Sequence, residues 1–98
     1  MPKPGFTYIV TNKWRTTLYV GVTSDLIRRI HQHRENVGSK FTSKYALHTF
    51  VWCESHSEIS YAIEREKQLK AWRRDWKIAL IEEFNPGWTD LYPSIAIP

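Results

Sequence analysis

An α+β fold follows from three features of this sequence. Two β-rich stretches, separated by a few polar residues, open the chain. An amphipathic segment with a capping residue at its start follows them. A further β-like stretch is then succeeded by two more helical segments. The order β-β-α-β-α-α predicts a three-stranded antiparallel sheet flanked by helices. With 98 residues the chain is one domain, 1–98, holding one modest core.

The first strand is expected over 6–12, where Phe6, Tyr8 and Val10 alternate with Thr7, Ile9 and Thr11. Asn12 to Thr16 is a connection of hairpin length, and 17–22 is a second strand of β-branched and aromatic residues. Strands so joined pair antiparallel, which brings Tyr8 towards Tyr19. Gly21 inside a strand marks a close approach by another group. Ser24 reads as the N-cap of a helix over 25–36, with Leu26, Ile30, His33 and Val37 on its apolar face and Gly38 as its stop. A basic, hydroxyl-rich loop follows. The third strand is expected over 47–53, with Leu47, Thr49, Val51 and Cys53 sharing a face. Ser57 reads as the N-cap of a second helix reaching Ala71. A third helix is expected over 75–84, with Trp76, Leu80, Ile81 and Phe84 facing inward and Asn85-Pro86-Gly87 ending it. The tail reads as irregular.

Composition narrows the class. Apolar residues make up 42%, too many for a disordered chain, and the formal net charge of +4 fits a polyanionic partner. Cys53 is the single cysteine, so no internal disulfide forms and a reducing compartment is expected. The opening Met-Pro-Lys-Pro-Gly has no apolar h-region, and no apolar run approaches the ~20 residues of a membrane span. These features predict a cytoplasmic location with no membrane partner.

The residues that carry chemistry are spread along the chain. Tyr8 lies in Tyr8-Ile9-Val10 and Tyr19, eleven positions on, in Tyr19-Val20-Gly21. Arg29 and His33 are four apart and so neighbours on a helix surface. Glu64 follows in Tyr61-Ala62-Ile63-Glu64-Arg65. In this order and spacing the motifs resemble the GIY-YIG nuclease domain, over nearly the whole chain from Phe6 to Trp88. The text around 18–23, Ser39-Lys40-Phe41-Thr42 and 77–82 is similar to the small stand-alone bacterial members of the YhbQ type. The resemblance implies a metal-dependent endonuclease, a phosphodiester hydrolase acting on DNA with Mg²⁺ or Mn²⁺, and connects the chain with DNA repair. It matches Tyr8 and Tyr19 to the two motif tyrosines, Arg29 and His33 to the arginine and histidine of the first helix, and Glu64 to the metal-binding glutamate. Two positions depart from the pattern. Phe6 stands where the first motif has its glycine, and Val22 where the excision-repair members have a lysine that helps ionise the first tyrosine.

The chemistry is consistent with those roles. Cleavage needs an activated water, charge neutralisation on the phosphate and help for the leaving oxygen. Glu64 is a hard oxygen ligand, and Mg²⁺ commonly uses only one or two protein carboxylates. Arg29 offers a permanent planar charge to a phosphate oxygen. For the general base two candidates stand: Tyr8 by resemblance, and His33 because its ordinary pKa lies near neutrality.

For binding, Lys40 and Lys44 interleave with Phe41 and Tyr45, while Lys67, Lys70 and Arg73 lie on and after the second helix. Together they form a candidate nucleic-acid surface for branched, nicked or single-stranded DNA, read with little sequence specificity. Two other readings stay open: a non-catalytic nucleic-acid-binding module of the same fold, and a subunit that needs a partner domain to hold substrate.

Overall fold

The computed structural model describes residues 3–35 and 44–96. Among them the order is β1 (Gly5–Thr11), β2 (Leu18–Thr23), α1 (Leu26–Arg34), β3 (Thr49–His56), α2 (Ile59–Ala71), α3 (Arg74–Phe84) and a short α4 (Tyr92–Ala96). The sheet is three-stranded with order β2-β1-β3, and both pairings are antiparallel. The expected architecture is therefore present, with one helix more than expected. The expected stop at Gly38, Val37 on the first helix face, and Lys40 and Phe41 lie outside the described residues.

Alternation along β1 sends its side chains into two cores. Tyr8 and Val10 pack with Leu26, Ile30, Leu47 and Phe50, under α1 and α4. Ile9 packs on the other face with Val20, Trp52, Leu69, Ile81 and Trp88, under α2 and α3. The central strand is thus covered on both faces, which is why 7–11 is buried throughout although two of its residues are threonines. Thr7 meets its burial by donating from Oγ1 to the Ala62 carbonyl of α2 at 2.8 Å. A Cβ at Gly5 would lie 2.7 Å from Cα of Ile59, so α2 can sit this close to β1 only because Gly5 has no side chain.

Several boundaries differ from the sequence reading. Asp25, not Ser24, caps α1, accepting from the Arg28 amide at 3.2 Å. The α2 start uses Glu58 without a side-chain cap, and the Ile59 amide donates instead to the Lys3 carbonyl at 2.8 Å. On β3, Ile9 faces Trp52 while Val10 faces Phe50, so Val51 is an extra residue in a bulge. The bulge reverses the phase of the strand: Leu47 and Cys53 join the α1 core and Val51 the opposite one. The strand also runs to His56, because Glu54, Ser55 and His56 pair with Thr7, Phe6 and Gly5 despite their polarity.

On α3, Ile81 alone is fully buried, whereas Trp76 is 50% and Phe84 53% exposed. The helix lays its Ile78–Ile81 side on the core, which turns Trp76 to the flank. Asn85 does end the helix. Its side chain donates to the carbonyls of Val51 (3.0 Å) and Thr89 (2.8 Å) and accepts from the Thr89 amide at 3.1 Å.

The tail is not irregular. The Leu91 amide donates to the Phe50 carbonyl at 2.7 Å, and the Phe50 amide donates to Asp90 Oδ1 at 3.3 Å, so the tail covers part of the outer edge of β3. It continues into α4, which packs on α1; Arg34 pairs with Asp90 and stacks on Tyr92. No helix among the described residues is long and apolar enough to cross a membrane.

Candidate active site

Strand register places the two tyrosines. Tyr8 faces Gly21 and Val10 faces Tyr19, so Tyr8 and Tyr19 are diagonal neighbours on the same sheet face. The Tyr8 ring lies across the backbone of the edge strand: a Cβ at Gly21 would be 2.4 Å from both its Cζ and its Oη. The close approach expected at Gly21 is therefore made by this side chain. It carries the phenol from the central strand to β2.

There Tyr8 Oη becomes the hub of a polar cluster. Arg29 Nε donates to it at 3.1 Å, and His33 Nε2 lies 2.8 Å away. Arg29 and His33 come from successive turns of α1, as their spacing requires. Arg29 Nη1 also donates to Gln32 Oε1 at 3.2 Å, which steadies the guanidinium, and Arg29 engages the Tyr19 phenol as well. The His33 ring meets Tyr8 and Tyr19 edge-on, with centroids 5.4 and 5.7 Å apart.

Burial dominates the electrostatics. It pushes the Tyr8 phenol up to about 12, against the hydrogen bond and charge of Arg29, while Tyr19 and Glu66 add to the rise. Burial also pushes His33 down to about 4, helped by the charges of Arg29 and His48. At neutral pH the imidazole is therefore neutral, and its Nδ1 is buried without a hydrogen-bond partner among the described residues. Burial opposes the Arg29 charge too, but its hydrogen bonds and attraction to the two phenols outweigh this and hold the guanidinium above its ordinary value.

Glu64 does not join this group. Ala62 and Leu69 are the buried residues of α2 and define its inner side. At about 100° per residue, Glu64 lies about 160° from Ala62 and Glu66 only about 40° from it. Glu64 is accordingly exposed, near Tyr61, a phenol raised chiefly by its hydrogen bond to Glu58. The carboxylate that acts on Tyr8 is Glu66, whose side chain is 16% exposed and pairs with Lys70 Nζ at 3.3 Å. Lys70 in turn lies 5.9 Å from the centre of the Tyr19 ring. The structure thus brings Tyr8, Tyr19, Arg29 and His33 together with Glu66 in place of Glu64. The signal was available in the sequence: the small apolar Ala62 and Leu69, seven apart, mark one helix face, and Glu66 is one turn from Ala62. Gln32 had no such signal.

Of the basic residues, Lys70 adjoins the site. Arg73 is exposed at the α2–α3 corner, pairs with Asp75 at 3.0 Å and stacks on Trp76 at 5.0 Å. Lys67 is exposed on α2, and Lys44 lies over the ring of Tyr45 at 5.5 Å. Among the described residues no three His, Cys, Asp or Glu side chains form a group that could hold a metal. The cluster therefore fits only a cation that is content with one carboxylate, here Glu66, and keeps most of its waters, as Mg²⁺ does.

The arrangement is a paired-tyrosine hairpin with an arginine, a histidine and a glutamate supplied by the flanking helices. Residues 4–79 match the model of the GIY-YIG catalytic domain, and the chain belongs to that nuclease family. It is 35% identical over 78 residues to the UPF0213 protein SH2523 of Staphylococcus haemolyticus, spanning 80% of this chain and 94% of that one. It is 34% identical over 67 residues to the UPF0213 protein HQ_3675A of Haloquadratum walsbyi, spanning 68% of this chain and 75% of that one. The solution NMR structure of the UPF0213 protein BH0048 from Bacillus halodurans shares the fold, with a TM-score of 0.57 at 24% identity over 89% of this chain and 92% of that one.

Proposed function

We propose that this protein is a metal-dependent endonuclease that hydrolyses DNA phosphodiester bonds with little sequence specificity. The observation that carries the reading is the Tyr8 hydroxyl, held by Arg29 at 3.1 Å and His33 at 2.8 Å. Glu66 is the residue that would hold Mg²⁺ or Mn²⁺, and such a cation would supply charge neutralisation on the scissile phosphate and lower the Tyr8 phenol from its buried value.

Tyr8 is the general base. Arg29 already stabilises its ionised form through Nε–H, and the neutral His33 ring is an acceptor for the phenol proton as Oη takes one from the attacking water. His33 alone is a poor base, because burial has moved it to about 4. Arg29, through its remaining N–H groups, and the Tyr19 hydroxyl orient the phosphate. Lys70, paired with Glu66 at 3.3 Å, would be free to meet the DNA backbone once Glu66 held a cation.

One observation favours a second reading, a binding module of the same fold. At rest Tyr8 is raised to about 12 and Glu66 is engaged by Lys70, a state that is not reactive by itself. Cleavage of plasmid and branched DNA with and without Mn²⁺, in Glu66→Gln and Glu64→Gln, separates the two. The expected result is a loss of at least about 100-fold for Glu66→Gln, with Glu64→Gln close to the parent. Parent protein that binds DNA but never cleaves it establishes the module. Equal cleavage by both variants removes Glu66 from the chemistry.

A further inference from the structure

We infer that the β1–β2 turn is a stacking site for an unpaired nucleobase, with Trp14 as its platform, so that the protein selects DNA carrying a single-stranded segment beside the cut. This rests on the reading of the site as a DNA-cleaving centre and specifies the substrate class.

Trp14 is 73% exposed, the most exposed of the large apolar side chains among the described residues. A lone exposed aromatic is ordinary. The turn that carries it is not an ordinary loop tip. The Arg15 amide donates to the Asn12 carbonyl at 3.0 Å, and Asn12 Oδ1 accepts from the amides of Thr16 (2.8 Å) and Thr17 (3.2 Å). Arg15 takes a left-handed backbone conformation at φ 58°.

The turn is also braced from outside. Arg74 Nη2, at the start of α3, donates to the Arg15 carbonyl at 2.8 Å. Arg15 Nη2 donates to the Gly87 carbonyl at 3.2 Å, with its guanidinium stacked on Trp88 at 5.3 Å. The backbone that carries the ring is therefore fixed before any ligand arrives, which lowers the ordering cost of binding.

Charge names the occupant. Lys13 Nζ lies 5.0 Å from the ring centre, Arg15 and Arg74 add two further cations to the braced turn, and 12–17 contain no acidic residue. A planar ring in a cationic frame fits a base with its phosphates, through stacking that does not depend on sequence. A duplex keeps its bases stacked on each other and offers none to such a ring, so the ligand is an unpaired strand. Position ties the turn to the site. Trp14 and Tyr19 are five positions apart in the chain, a span of at most about 18 Å, or about five nucleotides at 3.4 Å each.

The test measures affinity for a labelled duplex and for the same duplex bearing a single-stranded flap, with divalent cation withheld so that nothing is cut. Trp14→Ala should weaken flap binding by about 5- to 150-fold and leave duplex binding within about twofold of the parent, with Trp14→Phe recovering most of the loss. Phe84→Ala, which removes another exposed ring on α3, serves as the control and should change neither. Flap binding unaffected by Trp14→Ala, equal losses on flap and duplex, or the same loss in Phe84→Ala overturns the inference while leaving the nuclease reading intact. Parent protein that binds neither ligand removes both.

Discussion

In Gly21→Ala the new methyl group lands 2.4 Å from Cζ and Oη of Tyr8. Carbon atoms pack at about 3.5–4.0 Å, so the overlap exceeds about 1 Å. Tyr8 is fully buried and cannot swing into solvent. The constraint is space, since the Gly21 backbone is not left-handed. Either the sheet shifts or the ring moves off Arg29 and His33. Overpacking costs about 1–3 kcal/mol, and the hydrogen bond between the Arg29 charge and Oη is worth about 1.5–3 kcal/mol. The expected destabilisation is about 3–5 kcal/mol, a large share of the roughly 5–15 kcal/mol that holds a domain together. Urea unfolding followed by circular dichroism measures it. Tyr8→Ala removes the obstructing ring, so in that background Gly21→Ala should cost less than about 1 kcal/mol, giving a coupling energy of several kcal/mol. Effects that add to within about 0.5 kcal/mol refute the idea that Gly21 exists to let Tyr8 cross β2.

His33 should titrate near 4 by NMR rather than near its ordinary 6.5. Its folded pKa is the lower one, so its stabilising contribution is full above about 6.5 and drains away as pH falls towards 4. In His33→Gln the fall of stability across that window should be shallower than in the parent, as read from urea midpoints at several pH values. Asn85→Ala should lower stability by about 2–4 kcal/mol, because the Val51 carbonyl at the bulge and the Thr89 amide lose their partner together. Thermal unfolding checks this, and an unchanged midpoint would mean that water replaces the amide.

The fold class was legible in the sequence, and so were the local rules that bring the site residues near one another. Period-two alternation around a short polar connection predicts a hairpin between 6–12 and 17–22 that brings Tyr8 towards Tyr19, and the register of the paired strands then puts them on one face. A four-residue step on a helix requires Arg29 and His33 to be neighbours. These are local rules, set by the backbone's own periodicities.

What the sequence left open depended on which face of an element meets another, and only packing decides that. Glu64 and Glu66 both lie on α2, and the Ala62–Leu69 spacing that favours Glu66 competes in the sequence with Tyr61 and Ile63, which are apolar too. Ala62 and Leu69 press one side of the helix onto β1 and β2, and that choice turns Glu66 to the phenols and Glu64 to solvent. The same holds for α3, where laying Ile81 on the core exposes Trp76 and Phe84, and for Val51, whose bulge is visible only once β1 is beside it. The tail shows no strong periodicity because its structure is borrowed: the free edge of β3 supplies the hydrogen bonds that hold Asp90 and Leu91. The pKa values of Tyr8 and His33 are likewise tertiary facts, since burial between α1 and the sheet, rather than either side chain's intrinsic chemistry, moves one to about 12 and the other to about 4.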